Sequence, residues 1–136
     1  MKTTGELEHE IREFPSPASL ASEDFTPPSL PDFLGEALRE RNLTVGDIVV
    51  RCNLDRSYAY QLFNGTRRPT RDFLLRIAMA LGMGEAECQR LLRIAGRPPL
   101  YARNRRDAGI LYGLSHGLSP EETESLLQGL GEEGLL

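Results

Sequence analysis

Apolar side chains recur every three to four residues along most of the chain from Pro31 onward, which is the spacing of amphipathic helices. No segment shows the sustained alternation of apolar and polar residues that predicts a half-buried strand. The pattern predicts seven short helices, each counted together with any capping residue, at 31–41, 44–51, 55–64, 70–81, 85–95, 103–115 and 119–130. We therefore expect an all-α protein with short connecting loops.

Several predicted helix boundaries carry residues that cap helices. Side-chain oxygens suited to accept a backbone N–H stand at Thr44, Asp55, Thr70 and Ser119. After Ser119, Pro120 suits the first helical position and Glu122 can close a capping box. At the end of the third helix, Asn64-Gly65 tolerates the left-handed backbone that ends many helices.

The N-terminal part of the chain differs from the rest in pattern. Three apolar residues at helical spacing predict one short amphipathic helix within 6–14, and residues 15–28 are rich in Pro, Ser and Thr. We interpret residues 1–30 as an arm, which is either disordered or docked on the body or on a partner. Ser16-Pro17 and Thr26-Pro27 are candidate phosphorylation sites, so a kinase is one such partner.

Charge is segregated along the sequence. The net charge of −4 by itself is unfavourable for binding nucleic acid. However, residues 1–40 carry −6, residues 41–106 carry +8 and residues 107–136 carry −6. Every basic residue of the middle segment is an arginine, whose guanidinium suits phosphate oxygens and guanine edges. The middle segment is therefore the candidate DNA-binding part, with an ordinary solvated surface as the alternative.

Other classes of function have weaker sequence signals. Cys52 and Cys88 are far apart, and with His9 and His116 they show none of the close spacings of a zinc site, so both cysteines are expected to be buried. No nucleophile with a base and no phosphate-binding glycine loop stands out, so we predict neither an enzyme nor a cofactor. No apolar run is long enough for a membrane span and the N-terminus lacks a secretory signal, which favours the cytoplasm.

Two predicted helices of the basic segment are joined by only Cys52-Asn53-Leu54-Asp55. Such a short connection predicts a helix-turn-helix unit, with the helix after Asp55 as the recognition helix. On a helical wheel, apolar Ala59 and Leu62 share one side. The other side carries Arg56, Ser57, Tyr60, Gln61 and Asn64. Arginine can pair with guanine, glutamine with adenine and serine with either base, so this side predicts base contacts; a solvated helix face is the alternative.

The segment directly after the recognition helix is rich in side chains that bind phosphate. It contains three arginines and two hydroxyl groups, in Thr66-Arg67-Arg68-Pro69-Thr70-Arg71. Such side chains hold the DNA backbone and do not read its sequence. We expect these residues to contact phosphate groups: Thr66, Arg67, Arg68 and Arg71.

The basic segment also resembles a known family. The pattern N-G-x-x-x-P at 64–69, followed by I-A-M-A-L-G at 77–82, is similar to lambda-repressor-like domains of the Cro/cI or XRE type, and apolar positions between 48 and 62 match as well. The resemblance spans roughly residues 32–95 and implies a five-helix DNA-binding domain, extended in this chain by two C-terminal helices. It implies that Arg56, Ser57, Tyr60 and Gln61 face bases. It further implies phosphate contacts at Thr44 and Asn64, with Arg67, Arg68 and Arg71 nearby.

Four positions depart from that family pattern. Val45 stands where the family usually has a glutamine that anchors phosphate, and Val49 replaces a small residue between the two helices. Asn53 replaces the glycine of the turn, and asparagine is the next most tolerant residue of left-handed backbone. Phe63 replaces a polar residue. These changes leave the predicted fold intact. They affect the two functions that the family pattern implies, which are the phosphate anchor and the base readout.

A C-terminal extension, 97–136, follows the domain that we place at 31–96. Its first part, 97–107, resembles a subset of bacterial regulators with two additional helices. Arg103, Arg105 and Arg106 begin the first of these helices, where they either reach the DNA backbone or pair with the acidic arm. The leucines of the last helix and the tail either complete the core or form a homodimer contact: Leu126, Leu127, Leu130, Leu135 and Leu136.

Two functions are compatible with these observations. The first is a sequence-specific transcriptional regulator that binds double-stranded DNA with helix 55–64 in the major groove, commonly as a homodimer. The second is a protein-interaction adaptor that keeps the same fold and docks a partner through Tyr58, Tyr60 and Phe63, with the arm as a phosphorylated handle. DNA binding distinguishes the two.

Overall fold

The computed structural model describes residues 5–6 and 28–136. Residues 28–136 contain seven α-helices, residues 5–6 are helical, and no described residue lies in a strand, so the all-α prediction is confirmed. The helices are α1 Leu30–Glu40, α2 Val45–Cys52, α3 Arg56–Phe63, α4 Arg71–Ala80, α5 Glu85–Ile94, α6 Arg105–Ser115 and α7 Pro120–Gly129. Apart from Glu6 and Pro28, the predicted arm helix and the Pro/Ser-rich stretch lie outside the described residues.

The predicted capping residues begin their helices as expected. Four side chains each accept the backbone N–H of the residue three positions later: Thr44, Asp55, Thr70 and Ser119. Three residues after Thr44 and Ser119, the carboxylates of Asp47 and Glu122 accept the backbone N–H of the respective cap residue, which completes two capping boxes. These bonds satisfy N–H groups that have no acceptor within the helix. Local sequence therefore sets where α2, α3, α4 and α7 begin.

Two helices begin at residues other than those predicted. α1 begins one residue earlier, at Leu30, because the Ser29 hydroxyl accepts a backbone N–H of the first turn at 3.2 Å. α6 begins at Arg105, whereas the prediction was Arg103. The reason is that the Asn104 side chain accepts a first-turn N–H at 3.0 Å and becomes the cap. Arg103 therefore precedes the helix.

α4 is central to the fold. It packs against α2, α5 and α7, and its Leu74, Ile77 and Ala78 have no exposed surface. α3 packs against α1 and α2, and α1 also packs against α5. All seven helices contribute to one cluster of buried apolar side chains. Cys52 and Cys88 are free thiols in this cluster, so the prediction that they are buried is confirmed.

The C-terminal extension packs on the same core. α6 contacts α5 and α7, and α7 contacts α4. Five side chains of the extension are buried members of the cluster: Leu100, Ile110, Leu114, Leu127 and Leu135. Leu130 and Leu136 remain exposed. Leu127 and Leu135 therefore complete the core of the chain itself.

Arg106 binds within the molecule. Its guanidinium donates to both carboxylate oxygens of Asp72 at 3.0 Å and to the carbonyls of Glu133 and Gly134 at 2.9 and 3.0 Å. Among the described residues, its partners are therefore a carboxylate of α4 and two carbonyls near the C-terminus. Arg103 and Arg105 are exposed.

Candidate nucleic-acid interface

The turn between α2 and α3 is short and closed by backbone hydrogen bonds. Asn53 has a φ of 51° and ends α2 in the left-handed conformation, as expected for the residue that replaces a turn glycine. Leu54 then donates its N–H to the carbonyl of Val49 at 3.0 Å. Asp55 caps α3, which packs against α2. The two helices form the predicted helix-turn-helix arrangement.

Two arginines fasten α2 to α4. Arg76 of α4 donates to the carbonyl of Cys52 at 2.5 Å, and Arg51 of α2 donates to the carbonyl of Ala80 at 2.9 Å. Both acceptors are the last residues of their helices, where a carbonyl lacks a partner within the helix. Sequence reasoning missed these contacts because nothing in the sequence distinguishes these arginines from those that could bind phosphate.

α3 has a buried side and an outer side, as the helical wheel predicts. Ala59 and Leu62 have no exposed surface. On the outer side, Arg56 and Ser57 are exposed, Tyr60 is 46% exposed and Gln61 is half-buried. We call these four residues, Arg56, Ser57, Tyr60 and Gln61, the reading face. Their side chains form no hydrogen bond or ion pair with any residue that the structure describes.

Tyr58 connects α3 to α4 and to the loop that follows α3. Its ring meets the ring of Phe73 edge to face, with centroids 5.3 Å apart and an interplanar angle of 86°. On its other side, the guanidinium carbon of Arg67 lies 5.3 Å from the Tyr58 ring centroid, a distance at which the ring attracts the cation. Tyr58 therefore packs within the fold and holds Arg67 beside α3.

Residues 64–70, which we call the exit loop, lead from α3 to α4. Gly65 has a φ of 85°, which glycine adopts without steric cost. The side-chain oxygen of Asn64 accepts the Thr66 N–H at 2.9 Å, and the same N–H donates to the Gln61 carbonyl at 3.0 Å. These bonds fold the loop back on the end of α3. The exposed residues Asn64 and Thr66 therefore lie next to the reading face.

Arg67 and Arg68 of the exit loop are both exposed. Arg68 Nη2 donates to the carbonyls of Ala95 and Gly96 at 3.4 and 3.3 Å, which are long hydrogen bonds. The Arg67 guanidinium has only the Tyr58 ring as a partner among the described residues. Both guanidinium groups therefore keep donors available for an external anion.

Arg71 is bound within the molecule. It donates to both oxygens of Asp107 at 3.1 and 2.9 Å and to the carbonyls of Pro98 and Pro99 at 2.9 Å. Burial raises the pKa of Asp107, but the bonds from Arg71 and from the Tyr101 N–H outweigh burial, so the pKa lies below its ordinary value of 3.8. Because most of its donors are occupied, Arg71 is not placed to bind a phosphate group.

Thr44 is exposed, but its hydroxyl is engaged at the start of α2. Thr44 Oγ1 accepts the Asp47 N–H at 3.2 Å and donates to the Asp47 carboxylate at 3.1 Å, while the Thr44 N–H donates to that carboxylate at 2.8 Å. The bonds from the Thr44 backbone and hydroxyl lower the pKa of Asp47. A phosphate group at Thr44 would therefore meet a carboxylate. Val45, the next residue, packs against the core.

The described residues provide no metal-binding cluster, no membrane-spanning helix and no reactive thiol. Within 5–6 and 28–136, no group of three His, Cys, Asp or Glu side chains is arranged to hold a metal ion. No helix in that part of the chain combines the length and hydrophobicity needed to cross a membrane. Burial raises the pKa of Cys52 and raises that of Cys88 to about 12, so both thiols stay protonated at neutral pH.

Comparison with known proteins identifies one part of the chain. Residues 33–91 match the family model of the helix-turn-helix domain, and this range extends from Phe33 in α1 to Leu91 in α5. No curated protein and no solved structure matches the chain. The match contains the whole of α2, α3 and the exit loop, whereas α6 and α7 lie beyond it. Residues 33–91 of this all-α chain are therefore similar to the helix-turn-helix domain family.

Proposed function

We propose that the protein is a sequence-specific transcriptional regulator that binds double-stranded DNA with α3 in the major groove. The observation that carries this proposal is the reading face of α3. Its side chains are unengaged by other described residues, and the helix that bears them is packed against α1 and α2. Reading base edges requires polar side chains that project from a helix of fixed orientation.

The residues of the reading face have distinct roles in this proposal. Arg56, in the first turn of α3, is suited to the O6 and N7 acceptors of guanine, and Gln61 to the N6 and N7 groups of adenine. Ser57 can donate to or accept from either base. Tyr60 combines an apolar ring for a thymine methyl group with a terminal hydroxyl.

The exit loop supplies the phosphate contacts of the proposal. Asn64, Thr66, Arg67 and Arg68 are exposed beside the reading face and offer an amide, a hydroxyl and two guanidinium groups. Thr44 and Arg71 are already bonded to carboxylates, so we do not include them in this set.

We further propose that the domain is of the lambda-repressor-like, XRE type and binds DNA as a homodimer. The N-G-x-x-x-P and I-A-x-A-L-G patterns support the subtype. A symmetric dimer contacts two half-sites about 34 Å apart. Selection from random duplexes should therefore enrich an inverted repeat, and light scattering should show two chains per operator. A single asymmetric site bound by one chain would contradict the homodimer.

The test of DNA binding combines this selection with titrations over a range of salt concentrations. We expect one enriched motif and a linear fall of log affinity with log salt concentration. Replacing Arg67 and Arg68 together with alanine should weaken all sequences alike and reduce the salt slope by about two, at ~0.9 for each phosphate contact. Arg93→Ala removes an exposed arginine of α5 as the matched control and should leave the slope nearly unchanged. No enriched motif, or a slope unaffected by the loop arginines, would contradict the proposal.

The adaptor function has less structural support. Of the three aromatic side chains expected to dock a protein, Tyr58 packs on Phe73 and Phe63 packs against the core. Only Tyr60 is an exposed large aromatic residue on α3. A chain that captures a protein partner but enriches no DNA motif would favour the adaptor.

A further inference from the structure

The exit loop is bonded to residues 95–97, which lie beyond the matched helix-turn-helix range. Arg97 donates from both Nε and Nη2 to the carbonyl of Pro69, at 3.1 and 2.6 Å. In the opposite direction, Arg68 donates to the carbonyls of Ala95 and Gly96. The loop that we assign to phosphate binding is therefore fastened to the segment that leads into the C-terminal extension.

Arg97 is itself held at a defined place. After α5, Gly96 takes a φ of 69°, and the Arg97 N–H donates to the Leu92 carbonyl at 2.8 Å. This arrangement terminates the helix and directs the next residue away from its axis. The acceptor of the Arg97 guanidinium, the carbonyl of buried Pro69, directly precedes Thr70, the cap of α4. Arg97 thus joins the end of α5 to the end of the exit loop.

Two crossed ion pairs fasten the next part of the extension to α4. Arg71 and Asp72 occupy the first turn of α4, and Arg106 and Asp107 occupy the first turn of α6. Each arginine binds the aspartate of the other helix through both carboxylate oxygens, at 3.1 and 2.9 Å for Arg71 and at 3.0 Å for Arg106. Bidentate pairs fix orientation as well as distance. The start of α6 is therefore held in register with the start of α4.

We propose that Arg97 is a positioning residue for DNA binding, through which the C-terminal extension holds the exit loop in the conformation that presents Arg67. This inference rests on the proposed function. Tyr58 holds Arg67 from the side of α3, and Arg97 holds the backbone two residues further along. A loop ordered before binding loses less conformational entropy when it meets the phosphate backbone, so its restraint strengthens binding without any contact between Arg97 and DNA.

The first test is a double-mutant cycle that measures affinity for the selected duplex. Arg97→Ala should weaken binding about tenfold in the wild-type background. It should weaken binding less than about threefold when Arg67 is already alanine, because the restrained loop then no longer carries the Arg67 guanidinium. Equal losses in the two backgrounds would overturn the inference. In the Arg67→Ala background, Arg97→Ala should also leave the salt slope unchanged. A fall of about one would assign Arg97 to direct phosphate contact, at ~0.9 per contact, and would overturn the positioning role.

The matched control is Arg93→Ala, which removes the same charge from an exposed residue four positions earlier. It should change affinity less than about twofold, since long-range attraction between exposed charges is screened by salt. A loss equal to that of Arg97→Ala would show that only charge matters and would overturn the inference. If Arg97→Ala fails to fold by circular dichroism, Arg97→Gln takes its place in the cycle, because one amide donor remains for Pro69.

A second measurement does not depend on DNA. Hydrogen exchange of the Thr66 and Arg67 amides, which donate to the Gln61 carbonyl, should be at least about threefold faster in Arg97→Ala, with α1 unchanged. If hydrogen exchange of these two amides is the same in Arg97→Ala as in the wild type, Arg97 does not restrain the exit loop, whatever ligand the chain binds. Wild-type protein that binds no duplex would contradict the proposed function but would leave this measurement valid. The two failures are therefore distinguishable.

Discussion

At the scale of single residues, the arginines of the basic segment separate into two groups according to their acceptors. Six have an internal carbonyl or carboxylate partner within about 3.1 Å: Arg41, Arg51, Arg71, Arg76, Arg97 and Arg106. Arg56 and Arg67 have no such partner among the described residues. The charge of +8 therefore overstates the cations available to DNA, and only part of that charge lies on the proposed interface.

Asp107 should make stability depend on acid pH. Because its folded pKa lies below the ordinary 3.8, its ionised form stabilises the fold above that value, and this contribution is lost as pH falls through the folded pKa. Asp107→Asn should lower the free energy of unfolding at pH 7 by about 1–3 kcal/mol, since it removes a hydrogen-bonded charge from Arg71. Urea unfolding between pH 7 and pH 2 should then show a smaller acid-dependent loss in the variant. Parallel pH profiles of the two proteins would contradict this assignment.

At the scale of elements, α6 and α7 approach closely because α6 presents glycine. A Cβ on Gly113 would lie 2.6 Å from Thr123 Oγ1, and one on Gly109 would lie 3.0 Å from Leu127 Cδ2. Thr123 is fully buried, so it has little freedom to move aside. The glycines of α6 therefore set the distance between the two helices of the extension.

Gly113→Ala should destabilise the protein by about 1–3 kcal/mol in urea unfolding, as expected for an overpacked contact between helices. The matched control is Gly129→Ala in the last turn of α7, where a Cβ meets no atom within 4 Å. That change should be neutral or stabilise by up to about 1 kcal/mol, because alanine favours the helix. Equal effects of the two substitutions would show that the close approach does not govern the stability of this helix pair.

α3 and the exit loop should respond differently to substitution. Arg56→Ala or Gln61→Ala should relax discrimination at one base pair by about 1–3 kcal/mol, because each removes a bidentate base contact. Arg67→Ala should weaken the selected and the scrambled duplex alike. Competition titrations with single-base variants of the selected sequence measure the difference. A uniform loss on Arg56→Ala would remove that residue from base readout.

At the scale of the whole molecule, the acidic N-terminal segment should restrain non-specific binding. Residues 1–27 contain six acidic and two basic side chains and can compete with DNA for the basic segment. The deletion should stop at residue 27 because Ser29 caps α1. Removal of 1–27 should tighten binding to a random duplex at low salt, and the difference should shrink as salt is raised. Affinity that is unchanged or weaker would contradict this screening.

Much of the fold could be predicted because its signals are local. The caps at Thr44, Asp55, Thr70 and Ser119 bind N–H groups three residues away, and the left-handed Asn53 follows from its tolerance of that conformation. The predicted start of α6 at Arg103 was wrong because the side chain of Asn104 caps the helix. Alternation between buried and exposed positions on α3 was predictable because helical periodicity depends on sequence alone.

The sequence by itself determined the helices, most of their starts and the helix-turn-helix arrangement, because these depend on side chains within a few positions of one another. Only the tertiary structure decided which arginines remain available to an external anion. The acceptors of Arg71, Arg76 and Arg97 lie 24 to 36 residues away along the chain, so packing of α4 against α2 and the extension brings each pair together. An arginine is equally basic in either setting, and its role depends on whether the fold places a carbonyl or carboxylate within hydrogen-bonding distance.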